Sequence, residues 1–430
     1  MKYLYAALLV SFLFASCKRE KAILVEKTYV DSLITHYTLP RQVRDNQTDM
    51  VFWKNRILPN NPGQASESRY DSTLITRFHE FGDIQDVKAA EAVEKGINKT
   101  YNNSLGGTFV SLAAMGMLQH HFAQADTLLQ IAKKKGIETF TANTMSFDVD
   151  FELGRYSEAE HYLKLLSKQK DYSYYFRRSK FDHLNANIDS AIANMMKAAE
   201  LGKESPYLEG VALSNAGDLY IHSGDLEKAA ELYKKCIQLN SVDFHSMMGL
   251  GWIALVHDKN DVLAQRIYQF VQTKNKLPDP LFKLYQMAQQ RGDKALEKDY
   301  ATQFVKAATD TVYGQMYNKY VIEIYTGILN QPAKAEYLAK NELNNRSTPQ
   351  TYAWYAYTLF VNGKKDDAYK VFEGHVSGEP LEGLELYYMG KMMKGLGKGY
   401  NAQEFFKAAD KNLYDLSPEM QKDVQANSEE

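Results

Sequence analysis

Cysteine is almost missing from this chain: Cys17 and Cys236 are the only two in 430 residues. That excludes a disulfide framework and any cysteine-built zinc site, both of which need several thiols at close spacing. Excess charge is missing too. The 51 basic and 53 acidic residues leave a formal net charge of -2, without the surplus of Lys and Arg that phosphate binding demands. A nucleic-acid partner is therefore not expected. No apolar run reaches the roughly 20 residues of a transmembrane helix. The chain also has no glycine-rich phosphate loop, no nucleophile elbow and no HExxH string.

The ten histidines form no metal or catalytic string. Glu158 and His161 make an i, i+3 pair, but a di-iron bundle needs a second such pair and two further glutamates. His120 and His121 fall at a break between helices. Asp148 and Asp150, two apart on a helix, do not face each other. No catalytic residue, cofactor or metal is expected, and the chain is read as a binding protein.

What the chain does have begins at its N-terminus. Lys2 precedes an apolar stretch from Leu4 to Phe14, followed by Ala15, Ser16, Cys17 and the charged Lys18-Arg19-Glu20-Lys21. A basic start, a short apolar core and small residues before a break describe a secretory signal over residues 1–16. The string FASC resembles the lipobox of bacterial lipoproteins, with Phe14 where leucine is more usual. That resemblance makes Cys17 the lipid anchor and places the protein in the bacterial cell envelope. Residues 17–65, with the turn-rich LPNNPGQASES, read as an irregular spacer. Cys236 is then a lone thiol, and burial is its expected fate.

From residue 66 onward the pattern is repetitive, aided by 30 tyrosines that can fill inter-helix grooves. The clearest unit is Gly210–Asp243, GVALSNAGDLYIHSGDLEKAAELYKKCIQLNSVD. Two helical stretches flank Gly224-Asp225, where glycine can end one helix and aspartate cap the next. Gly217 and Ala229 are small residues at the crossing, and Tyr220 and Tyr233 fill the space around it. The pattern recurs at Pro349–Glu382 and Gly383–Leu416. A small residue of the second helix can be followed through Ala125, Ala159, Ala191, Ala229, Ala264, Ala335, Ala368 and Ala402. The long gap after Ala264 leaves room for a degenerate unit at Pro280–Ala308, broken at Gly292-Asp293. A looser pair is expected at Tyr70–Gly96, broken at Gly82-Asp83.

These units resemble the 34-residue tetratricopeptide repeat (TPR), a helix–turn–helix. The resemblance implies an all-α, right-handed α-solenoid of about nine or ten TPR-like helix pairs over residues 66–416. Residues 417–430 are expected to be a solvating cap that frays at its end. In such arrays the first helix of each pair lines a concave groove. Carried over by position, Asp218, Trp252, Tyr357 and Lys391 occupy one inward-facing site in four units, with His222, Phe360 and Tyr387 nearby. The Lys/Asn/Arg clamp of chaperone-tail binders is absent, since Ser214, Asn215, Asp218 and His222 stand there. The implied function is a membrane-tethered scaffold for a protein or peptide partner. The alternative is a glycan-binding surface lipoprotein, with aromatic rings stacking on sugars.

Overall fold

The computed structural model describes residues 22–58, 64–397 and 399–429, so the signal segment and Cys17 lie outside the described residues. Among the described residues two helices come first, α1 (Lys27–Thr35) and α2 (Arg41–Lys54). Ten helix pairs follow among the described residues. They are α3 (Gln64–Phe81) with α4 (Ile84–Thr100), α5 (Gly106–Leu118) with α6 (Phe122–Lys135), and α7 (Thr139–Glu152) with α8 (Tyr156–Leu166). Next come α9 (Tyr172–Leu184) with α10 (Ile188–Leu201), α11 (Pro206–Ser223) with α12 (Leu226–Leu239), and α13 (Phe244–Val256) with α14 (Asp261–Lys274). The array ends with α15 (Asp279–Arg291) and α16 (Lys294–Ala308), α17 (Asn318–Thr326) and α18 (Pro332–Asn345), α19 (Pro349–Val361) and α20 (Lys365–His375), and α21 (Gly383–Leu396) and α22 (Ala402–Lys411). A 3-10 turn at Leu413–Asp415 leads into α23 (Pro418–Ser428). The solenoid of helix pairs is as the repeat implied.

The breaks between paired helices follow the local chemistry read from the sequence. Gly82, Gly224 and Gly292 hold φ of 66°, 84° and 70°, which costs glycine nothing. The aspartate after each one caps the second helix: Asp83 accepts from Gln85 N, Asp225 from Lys228 N and Asp293 from Leu296 N. Ser205 and Pro206 open α11 in the same economical way, with serine as cap and proline in the first turn.

Most pairs bury a small residue of the second helix at the crossing, but Ala402 of α22, expected in the same role, is only partly buried. Ala125, Ala159, Ala191, Ala229, Ala264, Ala335 and Ala368 are all fully buried, and Ala301 fills that role in the degenerate unit. The Tyr233 ring sits between two glycines. A Cβ added to Gly217 or to Gly249 would lie 2.5 Å from it, so both sites need glycine. Cys236 is fully buried, its thiol 3.5 Å from the Gly210 carbonyl, and burial pushes its pKa up to about 12. It packs as a small apolar side chain.

Two expectations need correction. The described part of residues 17–65 is no irregular spacer. Leu24 N and Val25 N donate to the Asp258 carboxylate at 3.1 and 2.9 Å, and Lys234 Nζ donates to Leu24 O at 2.9 Å. Val25, Val30 and Val43 are buried in one core with residues of α12, α13 and α14. The segment braces the middle of the solenoid. Nor is the described part of residues 417–430 a merely solvating tail. Ser417 caps α23, and Met420 and Val424 are buried in the core of the last pairs.

The array coils until distant units touch. Lys276 N donates to Phe81 O at 2.8 Å, and Asn345 Nδ2 donates to His120 O at 2.6 Å. Arg346 pairs with Glu152 at 3.4 Å. Early helices therefore lie against later ones, and the inward faces surround a lumen. Among the described residues, no helix is long and apolar enough to cross a membrane.

Candidate lumen site

The lumen is lined by first helices of successive pairs and by the chain's own C-terminal stretch. One cavity of about 420 Å³ is bordered by Asp218, His245, Trp252, Asp279, Lys283 and Asp415. A second, of about 510 Å³, lies among Glu323, Tyr357, Tyr387, Lys391 and Asp423.

Four of the seven residues expected to line a groove are engaged by residues 414–423. Trp252 Nε1 donates to the Tyr414 carbonyl at 2.8 Å. His222 Nδ1 lies 2.5 Å from Asp415 Oδ2. Tyr387 Oη and Lys391 Nζ both donate to Asp423 Oδ2, at 2.9 and 2.7 Å. The other three are placed differently. Asp218 accepts from Tyr233 Oη at 2.6 Å and from His245 Nε2 at 2.9 Å. Tyr357 stacks on Tyr388 with centroids 4.2 Å apart, and Phe360 lies beside it at 6.4 Å. The aromatic rings are therefore spent largely on packing. Trp252 is only 5% exposed and carries Lys283 Nζ 3.8 Å above its ring, a cation–π contact. Neither Trp252 nor Tyr357 is a free platform for a sugar.

Electrostatics inside the lumen are strongly perturbed. The Asp218 carboxylate holds His245 up at about 9, so the imidazole is cationic at neutral pH, with 62% of its side chain still accessible within the lumen. Burial pulls Lys283 down to about 8, with Glu323 and Asp279 opposing. Burial likewise pushes Glu323 up to about 7. Against burial, the Asp415 contact holds His222 above its usual value. Against its own burial, hydrogen bonds from Lys391 and Tyr387 hold Asp423 below the ordinary carboxylate range. Low dielectric magnifies each of these couplings. Among the described residues no group of three or more His, Cys, Asp or Glu side chains could hold a metal ion.

Sequence reasoning missed His245, Asp279, Lys283 and Glu323. It also missed the C-terminal residues that face them. The signal for the latter was present: Ser417-Pro418-Glu419 is a helix start, with Met420 and Val424 one turn apart on its buried face.

A family model for the tetratricopeptide repeat matches residues 211–243. The chain carries a tetratricopeptide repeat. The match falls on α11 and α12, the TPR pair with the fullest set of caps and small residues. No curated protein matches the sequence. Among solved structures, pilF of Pseudomonas aeruginosa superposes with a TM-score of 0.37 at 14% identity, covering 50% of this chain and 97% of that one. A tetratricopeptide repeat protein of Parabacteroides merdae gives 0.35 at 14%, covering 60% and 99%. Yeast Tom70 gives 0.38 at 12%, covering 94% and 88%. These values assign no role. TPR arrays are typically scaffolds that bind other proteins, without catalysis of their own.

Proposed function

We propose that this protein is a membrane-tethered TPR scaffold of the bacterial cell envelope that holds a polypeptide segment of a partner in its lumen. One observation carries the reading: the lumen already grips polypeptide, namely its own residues 414–423. Trp252 takes a main-chain carbonyl, while His222 and Lys391 take carboxylates. Main-chain recognition with basic anchors suits an acidic peptide stretch and does not require a particular sequence. His245 and Lys283 face the cavity of about 420 Å³ together with Asp218, Asp279 and Asp415, so it offers a bound segment charges of both signs.

Tethering is read from FASC, with Cys17 as the acylated residue. One acyl chain binds membranes marginally and two hold stably. A tether confines the lumen to a thin layer and raises its effective concentration for partners at the same membrane. The test is in-cell cross-linking of the tagged protein, with mass spectrometry of what is captured, beside a His245→Ala, Lys283→Ala variant. A partner enriched with the parent and lost with the variant supports the scaffold. Equal capture by both removes the lumen from the account.

A further inference from the structure

The helix ahead of the first pair, α2, presents apolar side chains to solvent at its C-terminal end. The string MVFWKNRIL, residues 50–58, holds six apolar residues, two basic ones and no acid. Val51, Phe52 and Leu58 are 55%, 46% and 56% exposed, while Trp53 and Ile57 are half-buried. Nowhere else among the described residues do three exposed large hydrophobics fall within eight positions. The opposite side of the helix faces the body: Val43 is buried in a core, Met50 packs on another, and α2 lies against α3.

The end faces of a solenoid are ordinarily polar, because no further repeat stacks on them. This one sets aromatic and aliphatic side chains among cations. Phe52 and Trp53 meet edge to face, with ring centroids 4.9 Å apart, and the Arg56 guanidinium lies 4.2 Å over the Phe52 ring. Lys54 and Arg56 are exposed, and among the described residues neither is in an ion pair. Across residues 41–58 four basic residues, Arg41, Arg44, Lys54 and Arg56, stand against Asp45 and Asp49. Asp45 is already paired with Arg41 at 3.3 Å.

We propose that the C-terminal end of α2 docks on a lipid surface that carries anionic headgroups. Tryptophan and phenylalanine rings settle at the level of the headgroups, and cations beside them meet the lipid phosphates. The length of chain ahead of the described residues points to the same partner. Leu24 N is held by Asp258, and the seven peptide steps from Leu24 back to Cys17 reach at most about 25 Å. On the tether proposed above, the body therefore stays within that distance of the bilayer. A short leash limits distance and leaves orientation free. A second contact through α2 fixes which face of the solenoid meets the membrane. The docking rests on the tether only for the nearness of a bilayer, and each has its own readout.

The test is contact quenching of tryptophan by vesicles with brominated acyl chains. Trp252 and Trp354 are 5% and 2% exposed, so of the three tryptophans only Trp53 can meet bromine. The full chain, as isolated from cells, is mixed with vesicles of phosphatidylcholine, with and without phosphatidylglycerol. Quenching is expected to be about twofold greater on the anionic vesicles, and that difference should vanish at high salt. A Val51→Ser, Phe52→Ser variant, altered only at exposed positions, should lose the quenching while still pelleting with vesicles through the anchor. Cys17→Ser should no longer pellet with the neutral vesicles, yet keep the quenching on the anionic ones. Pelleting of the parent without quenching overturns the docking and leaves the tether standing. Quenching that persists in the Val51→Ser, Phe52→Ser variant, or that is equal on both kinds of vesicle, overturns it as well.

Discussion

The Trp252 indole donates its hydrogen bond to the main-chain carbonyl of Tyr414, 162 positions later in the sequence. That one bond ties a central repeat to the turn before the last helix, so the C-terminal segment is part of the lumen wall. Removing residues 413–430 should strip Leu416, Met420 and Val424 from the core of the last pairs. Each buried aliphatic side chain contributes about 1.5–3 kcal/mol. A truncated chain should melt several degrees lower, and its tryptophan emission should shift to the red as Trp252 meets water. An unchanged melting temperature with unchanged emission would mean that the segment does not seal the lumen.

The tyrosine wedge gives a sharper stability prediction. Gly217→Ala and Gly249→Ala each place a methyl group 2.5 Å from the Tyr233 ring. Overpacking of this kind costs about 1–3 kcal/mol. Urea titrations should show both variants shifted to lower midpoints, and Tyr233→Leu should partly rescue Gly217→Ala by clearing the ring.

At the front of the chain, the Asp258 carboxylate holds the backbone of Leu24 and Val25. Asp258→Ala leaves two donors to water and frees the segment ahead of α1. Hydrogen exchange should speed up across residues 24–35, with little change in α19–α22. Protection that persists in the variant would show that burial of Val25 and Val30 alone holds the segment.

Histidine 245 supplies a pH dependence of known sign. Its folded value of about 9 lies above the usual 6.5 because Asp218 stabilises the imidazolium. The pair therefore contributes stability fully below about pH 6.5 and loses it as pH rises through 9. Nuclear magnetic resonance titration should find His245 changing charge near pH 9 in the parent and well below that in Asp218→Asn.

Much of the fold was legible because it is written locally. Glycine–aspartate pairs at Gly82-Asp83, Gly224-Asp225 and Gly292-Asp293 mark the helix breaks, and their backbone and capping chemistry needs nothing beyond four neighbouring residues. The groove positions were read from repeat phase; Asp218 and Trp252 border one cavity and Tyr357, Tyr387 and Lys391 another, while His222 borders neither. Their partners were hidden because the superhelix brings them in from other turns: Asp415 lies 193 positions from His222. The same reason conceals His245 beside Lys283 in one cavity. The buried carboxyls of α3 and α4 were hidden for another reason. Asp71, Glu80 and Glu94 look like ordinary solvated residues of a charged helix, yet they are buried in a stretch where α3 packs against α2 and α4. Residues 22–54 were misread as spacer, although Tyr29, Val30, Leu33, Ile34 and Tyr37 carry helical spacing that places one apolar face against the body.

The central claim is that the lumen holds a partner polypeptide. The most direct measurement is site-specific photo-cross-linking in cells, with the photoreactive residue at position 245, inside the lumen, or at Tyr337 on the exposed outer face of α18. The account predicts a discrete adduct with a second protein from position 245 that is missing from position 337. An adduct from the outer position alone, or none from inside the lumen under any growth condition, would contradict it.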